Sequence, residues 1–574
     1  MSANDTMESP MSKFLITSAL PYVNGVKHLG NLAGSLLPAD IHARFRRQTG
    51  HEVLFLCGTD EHGTPIELAA LAESQPVADY CALQHARQAD IYRRFGLSFD
   101  HFSRTSGEAN RLLTQDIFRR LDAAGHIEAR TIRQAYSPTD RRFLPDRYVG
   151  GTCPHCGDAN ARGDQCENCT RLLDPEDLLA PRSAISGATD VEFRETRHLF
   201  LKLSSFEPAL RQWLDAQRHW PLLVRSIALK WLDESLRDRC ITRDLSWGVP
   251  VPRPGFENKV FYVWFDAPIG YIAAAIEWAD AAPGRDWRTW WLGGSDVRYV
   301  QFLAKDNVPF HTVSFPASIL GSGLPIKLAD VIKGFNWLTF EGGKFSTSRQ
   351  RGIFTDAALD LLPADVWRWW LAANAPEDDD SNFTVVRFVH GVNKDLSDTF
   401  GNLVNRCLTF TAATFGSTVP GGGTTGPAER ALADKLGVAL AQLRAHHEAL
   451  NLRKAANDVR TIWKIANAYL TETAPWSVVT HDRERAAAIT RTGINLVRVA
   501  ALAAWPFIPA TAATVLHSLG DEADPASWVE DGDLAISTVA AGRPFRVPPI
   551  LFRKIAAADL AGPRDVTAAC PPPG

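Results

Sequence analysis

The sequence predicts an α/β domain interrupted by a cysteine-bearing insertion and followed by an all-α bundle. Three observations predict it. The chain opens on a strand, a glycine loop, a helix and a second strand. Two CxxC pairs crowd into a Gly/Pro/Asp-rich stretch after about residue 125. Past Asn393 the apolar residues recur at helical spacing. The 574 residues are 45% hydrophobic and 22% charged, which leaves ample apolar surface for packed cores and excludes disorder as the main theme. A net charge of −4 excludes a protein that coats polyanions through bulk charge, so any such contact rests on local patches. The nine cysteines are odd in number, and most of those outside the two pairs are scattered, which argues against a secreted disulfide framework.

Taken in order, residues 1–12 carry neither a basic nor an apolar leader region and are expected to be disordered. KFLITSA (13–19) reads as a short buried strand. The loop PYVNGVKHLG follows, then a helical run from Asn31 towards Gln48, then the buried strand VLFLCG (53–58). The loop is not GxGxxG, so nothing supports a dinucleotide cofactor. KVFYVWFDAPIGYIAAAIEWA marks the return of α/β character as strand, Pro-containing turn and helix. VSFPASI (313–319) and the segment before Lys333 read as further strands or short connectors. In LSDTFGNLVNRCLTF, Leu396, Phe400, Leu403, Val404, Cys407 and Phe410 share one helical stripe. The uncharged run 499–516 contains Pro506 and Pro509 and reads as buried helices broken at the prolines, not as a membrane span. The chain is therefore expected to be cytoplasmic, and AACPPPG at its end to be a disordered tail.

Four constellations carry chemistry. PYVNGVKHLGN sits between a strand and a helix start, where backbone amides receive anions. Gly30 lets a base or phosphate come close, and His28 can donate to a phosphate in a developing transition state. GGKFSTSRQRG (342–352) gathers a lysine, hydroxyls and two arginines, which suits a mobile phosphate clamp. Cys153, Cys156, Cys166 and Cys169 form CxxC, nine residues, CxxC. Four thiolates at that spacing make a closed tetrahedral zinc site without an open position, hence structural. His155 lies inside the first CxxC turn and is not counted as a ligand. Asn402 and Arg406, four apart, lie off the apolar stripe on one exposed face, and Trp476 follows a later helix. Amide, guanidinium and indole suit the edges and faces of unstacked bases.

His28-Leu29-Gly30-Asn31 and Lys344-Phe345-Ser346-Thr347-Ser348 resemble the HIGH and KMSKS motifs of class I aminoacyl-tRNA synthetases, in the expected order and flanking an insertion. SALPYVNGVKHLGN, LFLCGTDEHGTPIE, YVWFDAPIGYI, AKDNVPFH and GKFSTSR resemble the blocks of the methionyl-tRNA synthetase family over about residues 13–555. HLGN and KDNVPFH are closer to its archaeal/eukaryotic-type branch. The resemblance implies a Rossmann-type catalytic domain (13–125 and 236–325) with a zinc-knuckle connective insertion (126–235). A stem-contact region with the KMSKS-like loop (326–393), a helical anticodon-binding domain (394–560) and a tail (561–574) follow.

The same resemblance implies roles for residues. It gives catalysis to His28, Asn31 and Lys344, and ATP binding to Pro21, His28, Gly30, Lys344, Ser346, Thr347 and Ser348. Methionine would be held by Leu20, Tyr22, Asp60, Trp264, Ala267, Pro268, Tyr271 and His311, with Asp60 on the ammonium group. Asn402, Arg406 and Trp476 would read the anticodon. ATP with Mg²⁺, L-methionine and tRNA(Met), including the initiator, are the implied substrates, with one structural Zn²⁺ and a monomeric, membrane-free enzyme. Two positions depart from the family. Phe315 replaces a common tryptophan, and Thr347 replaces the second lysine of KMSKS, for which Arg351 is the expected substitute cation. A class I enzyme for Leu, Ile, Val or Cys, a paralogue with a non-tRNA acceptor and a silent RNA-binding protein remain alternatives at this point.

Overall fold

The computed structural model describes residues 12–560 except 164–165, 167, 170, 172, 235, 295, 347–350, 522–527 and 530. Residues 1–11 of the expected N-terminal segment 1–12, the expected tail 561–574, and Thr347 and Ser348 lie outside the described residues.

The catalytic half is built on a parallel sheet. Strands β1 (Lys13–Ser18), β2 (Glu52–Thr59) and β3 (His101–Arg104) come from before the insertion. The insertion then folds as an antiparallel pair, β4 (Ile127–Ser137) with β5 (Glu192–Leu201), beside a small sheet that carries the cysteines. The chain re-enters as β6 (Val297–Ala304) and β7 (Val331–Phe335). The sheet order is β7-β6-β1-β2-β3, every pair parallel. Phe14, Leu15, Ile16, Leu54, Phe55 and Leu56 are wholly buried, as strands covered on both faces by helices must be. The chain reverses its progress between β1 and β6, so a crevice opens at their carboxyl ends, where α/β sheets bind ligands.

Two local expectations are corrected. VSFPASI is helical: a π-helical turn, Phe310–Ser314, runs into the helix Phe315–Ser322, which ends at Gly323 with φ +67°. Pro316 lies in the first turn, where its missing N–H costs nothing. An apolar run buried on all sides has no periodicity to tell strand from helix. In KVFYVWF only Val260–Phe261 pairs as strand, before a helical turn at Val263–Asp266 and the helix Gly270–Asp280.

The remainder is helical. Helix α1 (Leu37–Gln48) follows β1, and α2 (Ala364–Ala373) leads into the bundle of α3 (Asn402–Phe415), α4 (Pro427–Glu448), α5 (Leu452–Thr473), α6 (Arg483–Ala504) and α7 (Pro509–Ser518). The 499–516 run is buried helix broken at 505–508, and no described helix is long and apolar enough to cross a membrane. Helix α2 joins the parts. Arg368 is wholly buried and donates to Asp40 of α1 at 2.7 Å, to the Phe95 carbonyl at 3.2 Å, and to the Pro506 and Phe507 carbonyls, both at 2.9 Å. Asp365 accepts from the Thr511 amide at 2.6 Å, inside the first turn of α7.

Burial presses the Asp40 carboxyl upward, but Arg44 and Arg368 outweigh it and hold the group at about 2. That lies below the unfolded value of ~3.9. The stability the pair contributes is therefore full above the unfolded value and is lost as pH falls towards 2. Arg368→Met should cost about 3–5 kcal/mol at pH 7 by leaving the buried Asp40 with Arg44 as its remaining cation and the Pro506 and Phe507 carbonyls without their donors. Urea titration by tryptophan fluorescence at pH 7 and pH 3 checks this, the deficit narrowing at the lower pH.

Candidate functional site

The crevice between β1 and β6 holds a cavity of about 340 Å³. Leu20 and Pro21 line it from the end of β1, His28, Gly30 and Asn31 from the following loop and helix start, and Asn307 from beyond β6. Trp337, Lys344 and Phe345 line it from the hairpin after β7. The two motifs that lie over 300 residues apart in the chain thus meet across one opening. The His28 ring stacks on Phe345 with centroids 4.8 Å apart, and His28 and Phe354 form an antiparallel bridge. A Cβ on Gly30 would lie 3.0 Å from His28 Nδ1 and 3.4 Å from Phe345, so only glycine leaves that ring its place. Burial, then the neighbouring Lys27 charge, lowers His28 to about 3, and the imidazole is neutral at physiological pH. His28 Nδ1 is buried without a hydrogen-bond partner, in position to meet a ligand.

Lys344 places its Nζ 4.8 Å from the Trp337 ring centroid at the cavity edge. Ser346 and Arg351 exchange backbone hydrogen bonds of 3.0 and 2.9 Å and close the loop whose tip lies outside the described residues. Arg351, the expected substitute cation, follows the loop tip that lies outside the described residues. Its guanidinium lies beneath the hairpin, donating to the Phe340 carbonyl at 3.1 Å and the Glu341 carbonyl at 3.4 Å. Glu341 (φ +45°) and Gly342 (φ +76°) make the turn there, and a turn leaves carbonyls that need donors.

Next to Leu20 and Pro21 of the cavity, Tyr22 and Asp60 join a group of largely buried side chains. Tyr22 and Asp60 are bridged at the ends of their segments, with the Asp60 amide donating to the Pro21 carbonyl at 2.9 Å. Tyr22 meets Trp264 edge to face at 6.4 Å, and Leu20 packs over Gly270. Ala267, Pro268 and Tyr271 are buried in the wall. The Tyr271 hydroxyl donates to His311 Nε2 at 2.9 Å while His311 Nδ1 donates to the Asn307 carbonyl at 2.9 Å. That fixes one tautomer, and burial lowers the ring to about 4, hence neutral. Phe310, which sequence reasoning missed, stacks on Trp264 at 3.6 Å. Its aromatic character next to His311 was the only available signal. Phe315 is buried in the same core cluster as Tyr271. Asp60 is buried, its carboxyl is pushed well above the usual range by burial and then by Asp266, and Oδ1 has no hydrogen-bond partner.

The sulfurs of Cys153, Cys156, Cys166 and Cys169 all lie within 4.8 Å of one another. Cys153–Cys169 at 3.8 Å and Cys156–Cys166 at 3.6 Å are far beyond a disulfide of ~2.05 Å. They match the edges of a tetrahedron with zinc–sulfur bonds of ~2.3 Å, so the four residues could hold zinc. His155 instead faces Arg171 at 3.1 Å. The knuckle docks on the catalytic part through Glu67, which accepts from the Tyr148 hydroxyl and from the Trp247 amide.

In the bundle, Asn402 is exposed on α3, and the Arg406 guanidinium sits 4.8 Å from the Trp476 ring centroid. Trp476 is 38% exposed and is buttressed edge-on by Phe410 at 6.3 Å. The structure therefore brings Arg406 and Trp476 together, and Phe410, read only as stripe, holds the indole upright.

A family model described as tRNA synthetases class I (M) matches residues 14–408, and one described as the anticodon binding domain of methionyl tRNA ligase matches residues 419–565. The chain is 54% identical over 554 residues to a methionine–tRNA ligase of Caulobacter vibrioides, covering 95% of this chain and 97% of that protein. It is 55% identical over 557 residues to one from a Ruegeria species, with the same coverages. The structure is similar to Mycobacterium tuberculosis methionyl-tRNA synthetase in complex with methionyl-adenylate, with a TM-score of 0.76 and 26% identity over 94% of this chain and 100% of that one. Identity to the solved structure is about half that to the two ligases, although the fold is kept.

Tyr271→Phe removes the hydroxyl that donates to His311 Nε2. Leaving that nitrogen buried and unpaired should cost about 1–3 kcal/mol, read as a lowered urea midpoint. The His311→Ala variant should show no further loss when Tyr271→Phe is added.

Proposed function

The chain belongs to the methionyl class I tRNA synthetases, and on that premise we propose that it activates L-methionine with ATP and transfers the methionyl group to tRNA(Met), for both initiation and elongation. One observation carries the reading. A neutral His28 with an unpartnered Nδ1 and the Lys344 hairpin flank one cavity, and the buried Asp60, bridged to Tyr22 next to the cavity-lining Pro21, has an oxygen without a partner.

The methionine carboxylate attacks the α-phosphate of ATP, forming methionyl-adenylate and releasing pyrophosphate. The terminal ribose hydroxyl of tRNA then attacks the adenylate carbonyl and AMP leaves. No residue serves as a covalent nucleophile, and catalysis rests on positioning and charge stabilisation. Pro21, His28, Gly30 and Asn31 cradle ATP. A neutral imidazole donates to the phosphoryl oxygens without carrying a charge that must be neutralised before ATP arrives. Lys344 and Ser346, with Thr347 and Ser348, clamp the pyrophosphate side. Asp60 receives the methionine ammonium, and the incoming cation lets it ionise in a buried place. Tyr22, Trp264, Ala267, Pro268 and Leu20 enclose the thioether, with Tyr271 and His311 at its far wall. Mg²⁺ enters with ATP as the counter-ion of the substrate. The domain limits 13–125, 126–235, 236–325, 326–393 and 394–560 follow from the same reading, as do a monomer and a cytoplasmic location.

Asn402, Arg406 and Trp476 read the anticodon by stacking and base-edge contact. Trp476→Ala should lower tRNA charging by about 10- to 100-fold, stacking being worth ~1–3 kcal/mol per base. Pyrophosphate exchange dependent on methionine should hold near wild-type rate. Exchange that responds equally to another amino acid overturns the substrate, and an equal fall in both half-reactions makes Trp476 a packing residue.

One Zn²⁺ held by Cys153, Cys156, Cys166 and Cys169 closes the knuckle. Metal analysis should find about one zinc per chain. Cys166→Ser should lose it and lower the Tm of the insertion, since closed thiolate sites couple metal binding to folding.

A further inference from the structure

Lys305 is the first residue beyond the carboxyl end of β6 and opens the turn Lys305–Asn307. Its chain neighbours Ala304 and Asp306 line the crevice cavity, and so do Asn336 and Trp337, which its side chain reaches. Lys305 Nζ sits 4.2 Å from the Trp337 ring centroid, and Lys344 Nζ sits 4.8 Å from the same centroid. One part-exposed indole on the cavity wall therefore carries two ammonium groups, one from before β7 in the chain and one from after it.

The two ammonium groups share one paired carboxylate. Lys305 donates to Asp380 Oδ1 at 2.8 Å and to Asn336 Oδ1 at 3.2 Å. Asp380 is itself fixed, because the same oxygen accepts from the Trp337 amide at 2.9 Å. Among the described residues Lys344 has no carboxylate within ion-pair distance, and Asp306, exposed on the turn that Lys305 opens, pairs with neither lysine. An indole face attracts a cation without cancelling its charge. The arrangement puts positive charge at the end of a parallel strand, where α/β sheets receive ligands. An ammonium has three N–H groups, so Lys305 keeps one for an acceptor that enters the cavity after Asp380 and Asn336 have taken two. The loop after Lys344 carries Thr347 where the family has a second lysine, so it brings a hydroxyl in place of a charge.

We propose that Lys305 is the second cation of the phosphate clamp, held beside Lys344 on the Trp337 ring, and that its ammonium contacts the β- and γ-phosphates of ATP. The inference rests on the reading that this crevice activates methionine with ATP. In that step the methionine carboxylate forms a bond to the α-phosphorus. The bond from that phosphorus to the bridging oxygen of the β-phosphate breaks, and its electron pair stays on the departing pyrophosphate. Lys305 remains protonated throughout. Its hydrogen bond strengthens as negative charge grows on the leaving group, so it acts more on rate than on ATP affinity.

The experiment is methionine-dependent pyrophosphate exchange by the zinc-loaded full chain at varied ATP. Lys305→Met should lower kcat by about 100-fold, as loss of one positioned donor to a developing anion does, and raise the KM for ATP far less. Lys305→Arg keeps the charge and should recover most of the rate. Thr347→Lys added to Lys305→Met should recover at least about tenfold, because it returns a cation to the same clamp. A packing role for Lys305 would not be restored by a lysine on another segment. A further measurement needs no variant. Acetylation of the unmutated protein, read by peptide mapping, should slow at Lys305 and Lys344 together when inorganic pyrophosphate is added. The proposal is overturned if Lys305→Met keeps its kcat, if neither Lys305→Arg nor Thr347→Lys repairs a loss, or if pyrophosphate leaves the acetylation of Lys305 unchanged. Unmutated protein without methionine-dependent exchange overturns instead the reading beneath it, and the inference with that reading.

Discussion

Arg368 has five N–H groups and no access to water, and the fold gives each an acceptor. The acceptors come from three places: the Asp40 carboxylate behind the HLGN loop, the Phe95 and Gly96 carbonyls before β3, and the Pro506 and Phe507 carbonyls of the bundle. Prolines 506 and 509 break the helical ladder at that point, so those carbonyls have no amide below them. Arg368 supplies the missing donors and Asp365, one turn earlier, accepts from the first turn of the next helix. A similar contact lies nearer the sheet. Glu377 accepts from the amides of Leu452 and Arg453 at the start of α5, and Lys333 of β7 holds Glu377 at 2.9 Å. The distance between the crevice and the Trp476 face is therefore set by buried, oriented polar contacts. Apolar packing alone would tolerate sliding; a guanidinium with five fixed acceptors does not.

Three π-helical segments lie beside the crevice and the start of the bundle. Leu32–Leu36 follows the HLGN segment, Phe310–Ser314 contains His311, and Asn393–Gly401 precedes Asn402. A π turn inserts an extra residue into a helix, rotates the next turn about the axis and frees a carbonyl. At the second of these, Phe310 meets Trp264 and His311 meets Tyr271 from one short segment. At the third, the turn brings Leu396 and Phe400 into the core and still leaves Asn402 outside on α3.

Much of this was legible from residues and some was not. The buried strands of the first half, the cysteine spacing and the stripe from Leu396 to Cys407 were readable because each rests on a local period or spacing. VSFPASI was not, because a segment buried all round carries no alternation, and Pro316 looks like a breaker unless it is known to sit in a first turn. Phe310, Phe345 and Phe410 were missed for another reason. Their work is done against His28, Trp264 and Trp476, which are distant in sequence, and an isolated aromatic carries no sign of its partner. The contacts of Arg351 with the hairpin carbonyls at Phe340 and Glu341 were not legible either, because a turn's need for donors is set by its backbone and not by its charges.

The block Asp60-Glu61-His62 shows how buried charge is apportioned around the crevice. Glu61 is fully buried but takes Arg104 through both Nε and Nη2, and Ser106 besides. His62 holds Asp266 at 2.7 Å. Asp60, beside them in sequence, has an open oxygen, and the nearby Lys27 is itself pulled down to about 7 by burial against the pull of Asp60. Two acids therefore have dedicated cationic or imidazole partners and the third has only a weakened one. A carboxyl in that position is costly to ionise alone, and its charge is recovered when an ammonium group arrives. The neutral states of His28 and His311 come from the same burial, and at His28 a proton on the imidazole would add repulsion from Lys27. Lys344 thus stands at the rim of the crevice, while inside it the buried Lys27 is too weakened by burial to hold the Asp60 charge at full strength.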